Sequence, residues 1–468
     1  MEQKARDNAA GNSNKIYDTI IIGAGLAGLS CANHLSENGF SFIVLDSSDG
    51  VGGRVRSDLV DGFILDRGFQ VFLTAYPEAA NMLDYQSLNL KSFYAGALIA
   101  TEDGFTRLSD PFKNPSALLS AVFSNISSMS DKMRIAYLRQ KLMATTVGEI
   151  FSQVDKTILQ ALQEDYGFSA TIIHRFFRPF FGGITLDNTL SGSRRMFDFV
   201  YKMMAEGLVT VPARGMGQIP EQLAAKLPQN SIRLSSRVAS IDVASSKVVL
   251  ASGVTLQARS IVLATNGPDA HRLFPHVPLP SSQMATCLYF AAAEAPIKEP
   301  LLMLNGAAGP VNNLAVLTNV SPEYGPPGQH LISVTTVGGP GSGDAAEAKE
   351  NADPLNEKAP LEGAAEAELI AQVKAQLKVW FGAGADVEQW RHLRSYRIAH
   401  AQPNQIPPWL QPASRPLKLS ADGNEETEGH SIYVCGDHRE NASINGALRS
   451  GRLVAEALKA DLKVATVV

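Results

Sequence analysis

The stretch Tyr17-Asp18-Thr19-Ile20-Ile21-Ile22-Gly23-Ala24-Gly25-Leu26-Ala27-Gly28 decides how the chain folds. Its first half is largely β-branched and apolar, which suits a parallel strand buried on both faces. Leu26 to Leu35 reads as a helix, and Ser41 to Leu45 as a second strand. The glycines fall where the strand must turn into the helix. Gly23 permits the tight turn, Gly25 lets backbone approach a pyrophosphate, and Gly28 lets helix and strand pack closely. The helix start, with Leu26 and Ala27, offers free N–H groups and a partial positive charge to phosphate. Asp46 ends the second strand eighteen residues past Gly28, where a carboxylate can accept hydrogen bonds from an adenosine ribose. The segment predicts a dinucleotide-binding unit.

Two further pieces extend it. Val51-Gly52-Gly53-Arg54-Val55-Arg56 is a second glycine-rich, arginine-bearing loop, which can lie along a long cofactor with Arg54 near its pyrophosphate. Leu65 to Gln70 follows, and Gly68, Phe69 and Gln70 can bring backbone to a ring system. Near the other end, Cys435-Gly436-Asp437 closes a strand, and Ser443-Ile444-Asn445-Gly446-Ala447 opens a helix. Asp437 suits the hydroxyls of a ribityl chain, and the helix start suits the electron-rich edge of a reduced flavin. Plain turns and N-caps would account for each piece separately; all of them in this order point to FAD.

These motifs resemble the FAD-dependent amine oxidase, phytoene desaturase and protoporphyrinogen oxidase superfamily over most of residues 16–460. Gly215 to Pro220 is similar to its mid-chain signature. Arg237 to Ile241 resembles the strand whose valine, here Val238, holds adenine through its backbone. Val262 to Asn266 resembles the strand end, here Thr265 and Asn266, that passes the cofactor. The resemblance implies non-covalently bound FAD and an oxidoreductase that transfers hydride to the flavin. Arg175 to Gly183, with Phe176, Phe177, Phe180 and Phe181, is nearer the desaturase-like branch. Amine oxidases commonly carry a lysine on the strand matching Met284 to Phe290, and none stands there. No flavin-tethering cysteine has a clear counterpart; Cys435 reads as a small buried residue.

The implied substrate is lipophilic, isoprenoid- or tetrapyrrole-like. The alternatives are a peroxide-releasing amine oxidase, and a flavin-dependent isomerase or non-catalytic scaffold. No catalytic residue is assigned, because flavin carries the hard chemistry. Gln70, Tyr289, Tyr396, Arg397 and Trp409 are candidates for shaping the flavin face, with packing an equal reading for each. Arg178, Arg194 and Arg195 suit an acidic substrate or surface ion pairs. The phenylalanine run and the apolar stretch Leu118 to Ile126 suit a tunnel, a peripheral membrane contact, or core.

The fold expected is α/β: a Rossmann-type FAD domain from residues 15–75, 228–280 and 428–465, interleaved with an α+β substrate domain of 76–227 and 281–420. Most of 76–227 reads as helical, for example Asp131 to Thr145 and Val154 to Asp165. Short strands follow at Ser231 to Val238, Ser240 to Val243, Lys247 to Leu250 and Ser260 to Ala264, with antiparallel strands at Cys287 to Ala291 and Leu331 to Val337. Residues 338–366, rich in Gly, Ala, Glu and Pro, read as a disordered insertion. The 468 residues suffice for two cores. The net charge of −5, with no basic stripe, argues against nucleic acid as a partner. Three scattered cysteines and nine histidines show neither a disulfide framework nor metal spacing. Met1 to Lys15 has no apolar leader core, so an intracellular, by default cytoplasmic, location is expected. Electron acceptor, oligomeric state and organelle, a plastid included, stay open.

Overall fold

The computed structural model describes residues 16–110, 112–113, 128–337, 363–407, 418–419 and 432–467. Trp409, the stretch 118–126 and residues 338–362 lie outside the described residues. The remainder of the expected insertion is ordered: helix Ala364–Phe381 begins within it. Its Leu369, Val373 and Leu377 are buried against the sheet below, so apolar spacing at the helical period prevails over the surrounding Gly and Ala.

The opening stretch folds as strand β1 (Ile16–Ile22), helix α1 (Leu26–Glu37) and strand β2 (Phe42–Leu45). Both neighbours of β1 run parallel to it, β2 on one side and strand Thr255–Leu263 on the other. Strand Ile432–Val434 adds in parallel to Thr255–Leu263, and Ile232–Arg233 adds to β2. The strands Val238–Asp242 and Lys247–Leu250 form an antiparallel meander on Thr255–Leu263. Residues from the start, middle and end of the chain thus share one sheet. Ile20, Ile21, Val44, Val262 and Leu263 are buried in it, and each such side chain contributes about 1.5–3 kcal/mol.

After β2 the chain makes a hairpin of β3 (Ser57–Val60) and β4 (Phe63–Asp66). A second sheet of seven strands runs Arg391–Pro403, Ser282–Ala292, His330–Val337, Asn313–Val316, Leu302–Asn305, Gly96–Thr101 and Gly104–Ser109. Helix Ala364–Phe381 covers the face bearing Leu288, Phe290 and Val334. The opposite face, with Cys287, Tyr289 and Leu331, packs on a large core shared with the helices of 129–206. Among the described residues no helix is long and apolar enough to cross a membrane.

Several expected bounds shift. The helix expected from Val154 starts at Ile158, where Thr157 caps it, and ends as a π turn at Ala161–Asp165. Ser231 to Val238 is not one strand: only Ile232–Arg233 pairs before Val238. Half of the phenylalanine run is core, and the half-buried Phe176 and Phe180 pack against it. Phe177 and Phe181 are fully buried against Phe168 and Phe197, while Phe176 and Phe180 stack on each other at 5.3 Å.

Candidate functional site

Each glycine of the first turn has its own reason. Gly23 has φ +111°, and a Cβ there would lie 2.7 Å from the Ala264 carbonyl oxygen. A Cβ on Gly28 would lie 1.9 Å from the Gly23 carbonyl oxygen. Gly25 differs: its backbone is ordinary extended, φ −73°, and a Cβ there would meet nothing within 4 Å. Open space beside a residue that fold geometry does not require to be glycine marks a cradle for a ligand. Gly53, at φ +57°, packs beside it, and a Cβ there would lie in ordinary contact with the Gly25 Cα at 3.6 Å. Gly52 fastens the two turns, its N–H donating to the Ala24 carbonyl at 2.8 Å. Helix α1 starts here with no capping side chain and no acid in its first turn, so its N-terminal N–H groups remain available to an anion. Leu26 and Ala27 are buried and offer only that backbone.

Asp46 sits beside this turn and organises it. One carboxylate oxygen accepts from Ala24 N–H at 2.7 Å; the other accepts from Ser48 N–H at 2.8 Å and Ser48 Oγ at 2.5 Å. The expected ribose contact therefore has to use lone pairs these bonds leave. The Asp46 carbonyl also accepts from Ser236 N–H at 2.7 Å, which brings the segment leading into Val238 alongside. Val238 itself is buried opposite Leu250.

Arg54 reaches across to the C-terminal segment. Its guanidinium donates to Asp437 Oδ1 at 2.6 Å and to the Ala401 carbonyl at 2.9 Å, and Gln70 Nε2 donates to the Arg54 carbonyl at 2.8 Å. Arg54, Asn266, His400, Asp437 and His438 line one narrow cleft. His400 is a residue that sequence reasoning missed. Its Nδ1 is buried with no hydrogen-bond partner, and burial lowers the pKa of the ring. Only its place on strand Arg391–Pro403 reveals it.

The last helix, Ile444–Val467, is held against α1 through glycine: a Cβ on Gly451 would lie 2.1 Å from the Ala27 carbonyl oxygen. Ser443 caps it, its Oγ accepting from Gly446 N–H at 3.0 Å, and Ala447 continues its first turn. Gly436, at φ +147°, makes the turn before Asp437.

Several expected contacts resolve otherwise. Asn445 is buried and its Oδ1 accepts from Glu78 N–H, so that side chain ties two helices together. Asn266 caps the helix Gly267–Leu273 through Asp269 N–H at 2.8 Å, and Thr265 Oγ1 donates to the Asn266 carbonyl. Phe69 packs edge-on to Phe93 at 6.3 Å, while Gly68, at φ +93°, leaves room for Ile398. Tyr289 is fully buried and donates to the Asp66 carbonyl at 2.8 Å, a packing role. Tyr396 donates to Asp58 at 2.8 Å, and the exposed Arg397 lies against the Met284 sulfur. Arg194 pairs with Asp198 and Asp165, and buried Arg195 donates to the Gln153 carbonyl, so neither is open to an acidic substrate. Cys435 is buried in the core beside α1, as its small apolar reading implies.

A second missed residue lies at the centre. Buried Asp66 accepts from Ser57 Oγ at 2.5 Å, Met216 N–H at 2.8 Å and Tyr324 Oη at 2.8 Å. Burial pushes its carboxyl up to about 6 against the pull of those bonds. The knot also explains Gly215, since a Cβ there would lie 2.5 Å from Ser57 Oγ.

The open cradle at Gly25 and Gly53, the acid-free helix start, Arg54 and the unpartnered His400 nitrogen fit a pyrophosphate-bearing dinucleotide. The comparisons agree. The family model for flavin containing amine oxidoreductases matches residues 26–459. Protoporphyrinogen oxidase 2 of Arabidopsis thaliana is 25% identical over 165 residues, 35% of this chain and 31% of that protein. A 15-cis-phytoene desaturase of Narcissus pseudonarcissus is 36% identical over 76 residues, 16% of this chain and 13% of that protein. The matches thus span a third or less of these relatives. In fold, an oxidoreductase from Methanosarcina mazei superposes with a TM-score of 0.66 at 18% identity, over 94% of this chain and 99% of its own. The chain belongs to the flavin containing amine oxidoreductase family, whose members are FAD-dependent oxidoreductases, and FAD is its cofactor.

Proposed function

We propose that the chain oxidises a lipophilic organic molecule, isoprenoid- or tetrapyrrole-like, in a desaturase- or oxidase-like reaction. FAD, when bound, supplies a two-electron acceptor at flavin N5. Its holders would be Gly25, Gly53 and the start of α1 at the pyrophosphate, Asp46 and Val238 at the adenosine, and Asp437 with the start of helix Ile444–Val467 at the flavin end. The chain's own residues then align a substrate C–H and exclude water.

One observation carries this reading: the polar groups around Gly68 to Gln70 are already committed. Tyr289 and Tyr324 both donate to Asp66, and the Cys287 thiol lies 3.3 Å from Ser333 Oγ, with burial raising its pKa. None is free to take a proton from an amine, and no lysine stands on strand Ser282–Ala292. Desaturation delivers a hydride equivalent to the bound flavin and releases the second hydrogen as a proton to solvent, so it calls on none of these side chains. The likeness to a desaturase and a protoporphyrinogen oxidase supports the same substrate class.

Anaerobic mixing of the FAD-loaded protein with a polyene, a reduced tetrapyrrole, putrescine and an aryl amine tests it. Bleaching of the flavin by an apolar donor is expected. Bleaching by amines alone would favour the amine oxidase reading. Turnover with no net oxidation would favour an isomerase.

A further inference from the structure

A cavity of about 470 Å³ opens between helix Arg178–Thr185, the strand ends at Asn305 and Thr336–Val337, and helix Ala364–Phe381. It lies at the end of the seven-stranded sheet where Val337 pairs with Ala285, and Ala285 pairs on its other side with Ile398, the neighbour of Gly68. The cavity therefore shares an end of the sheet with the flavin-side segments, a few strands away. Its described lining contains His174 and Arg178 and no acidic residue.

The polar groups in its wall are incompletely satisfied. Arg178 donates one Nη1–H to the Asn188 carbonyl at 2.7 Å, while its Nε is buried with no partner. That leaves Nε and Nη2, the side-on edge of the guanidinium whose two parallel N–H bonds match the two oxygens of a carboxylate. Asn188 Oδ1 is likewise buried and unpartnered, and so is Oδ1 of nearby Asn313, a residue only 5% exposed. An amide's two ends are isosteric, so either can turn a nitrogen toward an anion. Two glycines make room for these groups. A Cβ on Gly182 would lie 2.2 Å from Asn188 Oδ1, and one on Gly183 would lie 2.6 Å from Asn312 Nδ2. A buried donor left unpaired carries an uncompensated desolvation penalty, greater when it is charged, that a bound ligand would recover. Pro179, Val311, Val337 and Leu369 give the wall apolar patches between Asn305, Asn312, Thr336 and Gln372.

We infer that this cavity takes an organic carboxylate with an apolar body, its carboxylate held side-on by Arg178. The inference rests on the proposed oxidation only in treating that molecule as the substrate; the site itself is defined by the cavity and its unpaired donors.

The test is calorimetric titration of the FAD-loaded protein with 4-phenylbutyrate, the matching alcohol and the matching amine. The carboxylate is expected to bind, at least tenfold more tightly than either, and to weaken as salt rises. Asn188→Asp, isosteric but anionic, is expected to cut carboxylate affinity at least tenfold with the flavin absorbance spectrum unchanged. Arg178→Lys, which keeps the charge and loses the fork, is expected to weaken it severalfold. Equal binding of the amine, or undiminished carboxylate binding by Asn188→Asp, would overturn the inference. Carboxylate binding with no flavin reduction by any carboxylate donor would leave the site standing and refute only its role as the substrate site, the oxidation reading being judged by the apolar donors.

Discussion

Arg54 and Asp437 stand 2.6 Å apart across 383 residues of sequence. The pair joins the second glycine loop to the turn before the last helix, and both side chains are more than two-thirds buried. It joins the two segments that the proposal places at the pyrophosphate and at the ribityl chain of FAD.

Breaking that pair is expected to loosen FAD before it loosens the fold. Charge-assisted hydrogen bonds contribute about 1.5–3 kcal/mol, so Arg54→Met should weaken FAD binding by about 10- to 100-fold. Quenching of flavin fluorescence on titration into apoprotein measures it. Unchanged affinity would show that Arg54 has only a structural part.

Asp66 makes stability depend on pH. Its folded-state carboxyl titrates at about 6, against about 3.9 in an unfolded chain. The folded state therefore holds the proton more tightly, and this contribution is full below about pH 4 and lost as pH rises through 6. Asp66→Asn does not titrate. Its deficit in unfolding free energy relative to the natural chain should be greatest at and below pH 4 and smaller by about 2 kcal/mol near pH 7 than at pH 4. Urea unfolding at both pH values checks this; a constant difference would contradict it.

Tyr289 belongs to the same knot. Tyr289→Phe leaves the buried Asp66 carbonyl without its donor and should cost about 1–3 kcal/mol of stability. The flavin spectrum and KM should not move. A changed KM with unchanged unfolding midpoint would place Tyr289 at the substrate instead.

How far the sequence spoke depended on the range of each interaction. Gly23, Gly25 and Gly28 were legible because a strand, a turn and a helix follow in immediate succession, and each glycine has a local reason. The phenylalanine run is ambiguous, since a tunnel wall and a core use the same residues; burial assigns Phe177 and Phe181 to the core and leaves Phe176 and Phe180 half-buried. Tyr289, Asn445 and Asn266 share one ambiguity. A polar side chain beside a motif suggests a ligand contact, but its true partner, Asp66, Glu78 or Asp269, is a neighbour that only the fold or the local cap supplies. Asp66 itself was passed over, although a lone acid ending the apolar run Phe63 to Leu65 is a usable signal. His400 had no such signal, because its cleft is assembled from distant segments.

Gly25 gives the most direct test of the FAD cradle. Its position needs no glycine for backbone conformation, and a Cβ meets no protein atom within 4 Å. Gly25→Val apoprotein should therefore melt at the temperature of the natural apoprotein, yet retain no FAD after gel filtration with excess cofactor. Gly28→Val, crowding the Gly23 carbonyl, should instead misfold. A folded Gly25→Val protein that kept a full equivalent of FAD would contradict the account.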